Sequence, residues 1–217
     1  MKTQRSLFDE PDTTPQFQSL PEVIDHMMQM TDDPLYPMGT NMVIHRGNPK
    51  TKLMIVGEAP GPQENIQGKP FVGKAGQMLD RILAAVKLDS NEDVYMTNSV
   101  FRLPPGEMGK SFRKPTKEEI AYYRPYVSEI IRLVDPKIIL LTGGVAVQSV
   151  LGETKLGITK MRGAWHEVDG RWIMPMFHPS YLLRNQSRQP GSPKALTWAD
   201  IQEVRRKYDE LELGQFS

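Results

Sequence analysis

Residues 52–61 read KLMIVGEAPG, an apolar run that ends in a turn rich in glycine and proline. An unbroken apolar run of this length, bounded by turn residues, is typical of a strand buried on both faces of a parallel sheet. Similar runs lie at residues 94–97, 137–142 and 171–176, and helical patterns separate them. The alternation predicts a three-layer α/β/α sandwich with a central, mostly parallel four-stranded sheet.

Helical periodicity and capping signals place the other elements. Thr116 followed by Glu119 is a capping box that opens a helix reaching to about residue 134. Asp169-Gly170, between the segments at 165–168 and 171–176, predicts a hairpin. Further helices are expected at about residues 21–30, 75–86, 143–151 and 198–211.

Composition bounds the class of protein. The 217 residues, 39% of them hydrophobic, suit one domain, which we assign to residues 21–213 after a polar tail at 1–20. A net charge of +1 restricts any nucleic-acid surface to a local patch. The absence of cysteine excludes disulfides, zinc thiolates and cysteine-ligated iron–sulfur clusters. With no apolar run of membrane-spanning length, we expect a soluble cytoplasmic monomer.

Three segments that carry candidate functional side chains follow the predicted strands. They are residues 57–61 (GEAPG), Asn98, and residues 177–184 (FHPSYLLR). Because the carboxyl ends of parallel strands meet at one edge of a sheet, we expect these segments to lie together. Each has an ordinary structural alternative: a tight turn, a strand-end cap, and a buried histidine that is satisfied structurally. Taken together, a carboxylate, an amide, an imidazole and an arginine suit recognition of a polar ring and stabilisation of a departing anion.

The ordered motifs GEAPG (57–61), GKPFVGKAG (68–76) and HPSYLLR (178–184) resemble those of the uracil-DNA glycosylase superfamily, in particular family 4. The resemblance covers about residues 52–211. It implies an enzyme of base excision repair that flips uracil out of DNA and hydrolyses the N-glycosidic bond, leaving an abasic site. The resemblance implies no lysine nucleophile and hence no lyase activity.

The resemblance also implies roles for individual residues. In the pocket, where Gly57 and Ala59 form the first turn, Phe71 stacks on uracil, Asn98 reads its edge and His178 donates a hydrogen bond to O2. Other families carry an aspartate at the position of Ala59, so the water-positioning group is open, and Glu58 is its first candidate. Leu182 or Leu183 fills the gap left by the flipped base. Phosphate contacts are expected from Arg184, Arg188 and Lys194, and from a basic loop with Lys110 and Arg113.

This chain departs from family 4 at the cluster. Those enzymes hold a 4Fe-4S cluster on four cysteines, and the corresponding positions here are about Met30, Asp33, Arg102 and Tyr123. None of these side chains replaces a thiolate. We therefore expect no cofactor, and packing plus an Asp33–Arg102 ion pair in place of the cluster.

The loop at residues 104–115 bears on whether the enzyme releases its abasic product or stays covalently bound to it. A related branch of the superfamily carries a histidine here that bonds to the abasic sugar, and this loop has none, so we expect turnover. Glu107 stands where family 4 often has an asparagine. The alternatives are a covalent abasic-site binder, a weak damage-binding protein, and a nucleotide-binding protein. The last is disfavoured because no glycine-rich phosphate loop is present.

The tail contains a second candidate binding segment. Residues 4–8 (QRSLF) resemble the peptide by which bacterial repair proteins bind the sliding clamp. Gln4, Leu7 and Phe8 would make the contacts, although Arg5 departs from the usual leucine. A chance apolar pair in a polar tail is the alternative.

Overall fold

The computed structural model describes residues 6–8, 16–106, 111–152 and 155–214. Their six strands are β1 (His45–Gly47), β2 (Leu53–Gly57), β3 (Val94–Asn98), β4 (Ile138–Thr142), β5 (His166–Val168) and β6 (Arg171–Met176). They form one sheet in the order β1-β3-β2-β4-β6-β5. The four central strands are parallel, and β1 and β5 pair antiparallel at the edges. The α/β class and the parallel core are as predicted, and the predicted hairpin is present as β5 and β6. The sheet has six strands rather than four, because β5 and the unpredicted β1 pair at its two edges.

The described part of the chain contains eight α-helices and one short 3-10 helix (Tyr36–Met38). The α-helices are α1 (Leu20–Met28), α2 (Pro62–Gln67), α3 (Lys74–Ala85), α4 (Lys117–Val134), α5 (Gly144–Leu151), α6 (Ile158–Met161), α7 (Pro179–Arg184) and α8 (Pro193–Glu212). The predicted capping box of α4 is present, since Glu119 N donates to Thr116 Oγ1 at 3.2 Å and Thr116 N to Glu119 Oε2 at 2.8 Å. The last helix begins before residue 198, because Ser192 caps it and Pro193 occupies its first turn.

Both faces of the sheet are covered, which explains the unbroken apolar strands. Along β2, Met54 and Val56 join the core beneath α1, α4 and α5, while Leu53 and Ile55 join the core beneath α3 and α8. All four side chains are fully buried. A strand packed on both faces carries a polar residue only where a hydrogen bond satisfies it, as the bond from Thr97 Oγ1 to the Ile44 carbonyl does in β3, so the apolar run of β2 continues until the turn begins.

A short stretch of the tail packs on the end of the sheet opposite the carboxyl edge. Leu7 is 2% exposed and belongs to the core beneath α4. Its backbone N–H donates to Asp169 Oδ2 at 2.7 Å, in the β5–β6 turn. The Phe8 ring lies 5.2 Å from the Arg171 guanidinium, whereas Gln4 is outside the described residues.

None of the helices in the described ranges combines the length and the hydrophobicity that a membrane-spanning segment requires.

Candidate active site

The loops after the parallel strands meet at one edge, as the sequence predicted. Gly57 at the end of β2 is in register with Asn98 at the end of β3. Thr142 at the end of β4 is in register with Met176 of β6, and the N–H of Gly143 donates to the Met176 carbonyl at 2.9 Å. This register places the 57–61 turn, Asn98 and the segment after Met176 at the same edge of the sheet.

Asn98 and Phe71 converge on Gly57. A methyl group on Gly57 would collide with Asn98 Oδ1 and would lie 2.5 Å from Phe71 Cζ. Gly57 must therefore be glycine for the amide and the ring to approach each other. Asn98 is 3% exposed and Phe71 is 6% exposed.

The backbone of Phe71 is held in an unusual conformation. Its φ angle is +57°, a region that residues other than glycine rarely adopt. Gly76 packs so closely on the backbone of Phe71 that a Cβ there would overlap it. The Phe71 carbonyl accepts a hydrogen bond from Arg46 Nη2 at 3.3 Å. Strain of this kind persists only where the surroundings fix it, as Gly76 and Arg46 do here.

Glu64 joins the first motif to the loop that carries Phe71. Its buried carboxylate accepts from Gly61 N at 3.1 Å and from Gly73 N at 2.6 Å. The sequence analysis gave Glu64 no role of its own. The available signal was a glutamate at the third position of a helix, which is the usual partner of a cap.

His178 is fixed in one tautomer by the start of α7. It occupies the N-cap position, and Ser180 N donates to its Nδ1 at 3.2 Å. Burial, reinforced by the positive charges of Arg184 and Lys114, lowers the pKa of His178 to about 4. The ring is therefore neutral near pH 7. Because Nδ1 accepts, the proton lies on Nε2, which leaves an N–H donor for a ligand.

Glu58 shares an electrostatic environment with His178. Burial raises the pKa of the Glu58 carboxyl, and the charge of Lys114 lowers it in part. Lys114 thus acts on both groups. The sequence placed Lys114 only in a basic loop, because its effect on Glu58 and His178 depends on how the chain folds. Ala59 is partly buried against the core beneath α4. It has no polar side-chain group, so Glu58 remains the candidate for positioning water.

The residues proposed to contact DNA differ in how much of their side chains is exposed to solvent. Leu182 is 1% exposed and packs inside the fold, whereas Leu183 is half-buried, which leaves Leu183 as the candidate for the apolar wedge. Arg184 and Arg188 are exposed on and after α7, and Lys194 bonds to Gln186.

The basic loop after β3 is only partly described. Arg113 forms a two-pronged ion pair with Glu119, with Nη1–Oε2 and Nη2–Oε1 distances of 2.8 and 2.6 Å, so its charge is already matched within the protein. Lys110 and Glu107 lie outside the described residues.

The four positions at which the resemblance to family 4 implies cluster cysteines do not fit an iron–sulfur cluster. Met30, Asp33, Arg102 and Tyr123 are all buried, but the chain has no thiolate and a guanidinium cannot ligate iron. In the part of the chain that the structure describes, no three His, Cys, Asp or Glu side chains are grouped to hold a metal ion.

The geometry of the site indicates a class of protein, and the similarity of the sequence to known proteins identifies the family. A buried aromatic ring, an amide and a neutral imidazole lie at the carboxyl edge of the parallel sheet, and these groups have the chemistry to recognise a planar polar ring. Residues 44–202 match the model of the uracil DNA glycosylase superfamily, and the chain belongs to that superfamily.

Individual relatives agree with this placement. The chain is 37% identical over 170 residues to the type-4 uracil-DNA glycosylase of Thermotoga maritima, covering 77% of this chain and 84% of that protein. It is 33% identical over 181 residues to the corresponding enzyme of Archaeoglobus fulgidus, covering 79% and 87%. A DNA polymerase of Bacillus phage SP01 is 37% identical over 144 residues, which are 66% of this chain and 15% of the polymerase.

Two adjacent glycines provide a matched test of His178 positioning. Gly143 has a φ angle of +97°, and a Cβ there would lie 3.2 Å from His178 Cβ, whereas a Cβ on Gly144 would meet nothing within 4 Å. We expect Gly143→Ala to lower activity about 10- to 100-fold by displacing the imidazole, with a stability loss of about 1–3 kcal/mol from backbone strain. Gly144→Ala should leave both unchanged. Uracil-excision rates and thermal unfolding of both variants check this, and equal activities would contradict it.

Proposed function

We propose that this protein is a monofunctional uracil-DNA glycosylase that hydrolyses the N-glycosidic bond of deoxyuridine in DNA. The observation that carries the proposal is the convergence of Asn98 and Phe71 on Gly57, at the same edge of the sheet as a neutral His178. Membership of the superfamily and similarity to type-4 enzymes support it.

Recognition of uracil would depend on the fixed position of the Asn98 amide. Asn98 is buried at the end of β3, and its amide offers one donor and one acceptor. Uracil presents the complementary N3–H and O4, whereas cytosine presents an amine at position 4 and an unprotonated N3. A buried group that is left unpaired by the wrong base penalises that base strongly. Phe71 would supply the stacking surface, which contributes about 1–3 kcal/mol per base.

His178 would stabilise the leaving group. As the glycosidic bond breaks, negative charge accumulates on uracil O2. A neutral imidazole whose Nε2 carries the proton can donate to that oxygen without first losing or gaining a proton. Because the ring is already oriented by Ser180, the transition state requires little reorganisation.

Glu58 would act on the sugar. A carboxylate near the anomeric carbon stabilises the oxocarbenium character that develops there and positions the water that adds to it. No lysine nucleophile enters this scheme, so the expected products are free uracil and an intact abasic strand.

We further propose that the protein acts as a monomer, with one catalytic domain at residues 21–213 and a nucleoid-associated location in the cytoplasm. The reaction as derived needs no cofactor, because His178, Asn98 and Glu58 supply the donor, the recognition group and the carboxylate.

Excision from a uracil-containing oligonucleotide tests the proposed function. We expect alkali-labile strand cleavage at uracil and none at thymine at the same position, read on a denaturing gel. A protein–DNA band that survives denaturation would instead indicate covalent trapping. Retained binding without cleavage would indicate a damage-binding protein.

The pH dependence should separate Glu58 from His178. Because burial raises the pKa of Glu58 above 4.5, its carboxylate is lost as the pH falls through that raised value. The rate should therefore decline on the acid side at a pH above the ordinary carboxyl range, and Glu58→Gln should remove this decline. His178, with a pKa of about 4, should add no titration above about pH 5. An unchanged acid limb in Glu58→Gln would contradict the assignment.

We also propose that Gln4, Leu7 and Phe8 bind a bacterial sliding clamp. Because Leu7 is buried against this domain and its N–H is bonded to Asp169, the segment would have to leave the β5–β6 turn before it could bind. The double variant Leu7→Ala/Phe8→Ala should no longer bind purified clamp. An affinity for the clamp equal to that of wild type would contradict the proposal.

A further inference from the structure

Three of the four positions at which the resemblance to family 4 implies cluster cysteines form a hydrogen-bonded network. Arg102 Nε donates to Asp33 Oδ2 at 2.8 Å, and Tyr123 Oη donates to Asp33 Oδ1 at 2.6 Å. The backbone N–H of Leu35 donates to the same Oδ1 at 3.0 Å. The Asp33 carboxylate is therefore satisfied from three directions while almost inaccessible to solvent.

Arg102 also reaches the fourth position. Its Nη2 donates to the Met30 carbonyl at 3.2 Å, and its Nη1 donates to the Thr40 carbonyl. The ring of Tyr36 lies 5.2 Å from the guanidinium, which adds a cation–π contact. One planar fork of donors thus ties both sides of the segment at residues 30–40 to the segment after β3.

The network lies next to the backbone contacts that hold the active site. Ser99 N donates to the Gly57 carbonyl at 3.0 Å, and Val100 N donates to the Glu58 carbonyl at 3.1 Å. These two donors stand between Asn98 and Arg102 in the chain. Whatever fixes Arg102 therefore limits the movement of Asn98 and of the turn that carries Glu58.

We infer that Asp33, Arg102 and Tyr123 form a metal-free tether that takes the place of the iron–sulfur cluster and positions the Asn98 and Glu58 backbones. The tether joins the segment at residues 30–40, the segment after β3, and helix α4. A buried ion pair suits this role, because removing either charge leaves the other unpaired in the interior.

A double-mutant cycle tests the coupling. We expect Asp33→Asn and Arg102→Met each to lower the Tm by about 10 °C. The double variant should lose far less than the sum of the two, because no buried charge is left unpaired. Tyr123→Phe should cause a smaller loss, since the ion pair remains. The control is the Arg205–Asp209 pair of α8, whose side chains are partly exposed to solvent, and Arg205→Met and Asp209→Asn should each change the Tm by no more than about 2 °C. Additive losses in the Asp33 and Arg102 cycle would overturn the proposal.

Hydrogen exchange tests the positioning role without relying on catalysis. In Arg102→Met, amide exchange in residues 99–101 should accelerate at least tenfold relative to β4, at a temperature where the variant is fully folded. The Arg205→Met control should show no such local change. Exchange that rises equally in β4 would reduce Arg102 to a general stabilising role and overturn the positioning claim.

Iron analysis tests the metal-free claim. Wild-type protein purified under anaerobic conditions from iron-supplemented cells should contain less than about 0.1 iron per chain, and stoichiometric iron would overturn it. All three measurements stand whether or not the protein excises uracil, so failure of the proposed activity would not be confused with failure of the tether.

Discussion

We expect the His178→Ala variant to excise uracil about 10²- to 10³-fold more slowly than wild type, with little change in its affinity for DNA. The expected size is that of removing one preorganised donor from an anion-stabilising site. The reason is structural: the ring is neutral, its Nδ1 accepts from Ser180, and its Nε2–H is free to meet developing charge. Single-turnover excision rates measure the effect on chemistry alone.

His26→Ala is a matched control for the loss of a histidine. His26 is exposed on α1, and its removal should leave the rate unchanged. His178→Gln should recover part of the lost rate, because its side-chain amide can also donate. A His178→Ala rate within threefold of wild type would eliminate His178 as the donor to uracil O2.

The second large effect is expected at the base-reading residue. Asn98→Asp should lower uracil excision by about 10⁴-fold, because a carboxylate only accepts and would face uracil O4 without a donor. The burial of Asn98, which is 3% exposed, prevents water from relieving the mismatch. Excision rates on uracil, thymine and cytosine in the same sequence context would show whether recognition or chemistry is lost.

Asn91→Asp provides the charge control for this variant. Asn91 is exposed in the turn before β3, so the substitution adds the same charge without touching the pocket. Its excision rate should equal that of wild type. If Asn98→Asp still excised uracil within tenfold of wild type, Asn98 would not be the residue that reads the base edge.

Much of the fold could be predicted from local pattern because the central strands are buried on both faces. The runs at residues 53–56 of β2 and 138–141 of β4 are apolar throughout, and the structure buries every one of their side chains. The His45–Gly47 strand was missed because three residues with one histidine and one arginine carry no strand signal. The start of α8 was placed too late because the Ser192-Pro193 signal precedes the apolar period of the helix.

The site was predicted in part, and the missing part depends on long-range contacts. Glu58, Asn98 and His178 follow predicted strands, so a parallel sheet alone brings them to one edge. Lys114 and Gly143 could not be found in this way, because their roles depend on what lies across the edge from them. Leu182 and Leu183 are equivalent in sequence, and only burial distinguishes them.

The sequence by itself determined the four parallel strands and the longer helices between them, the three motifs and the absence of cysteine, since these depend on residue type and spacing. The tertiary structure decided what occupies the vacated positions. Arg102 lies 69 residues after Asp33 in the chain, and Tyr123 lies 90 residues after it. Their convergence depends on how α1, β3 and α4 pack, because a hydrogen bond requires atoms within about 3 Å of each other and chain spacing alone does not fix that distance.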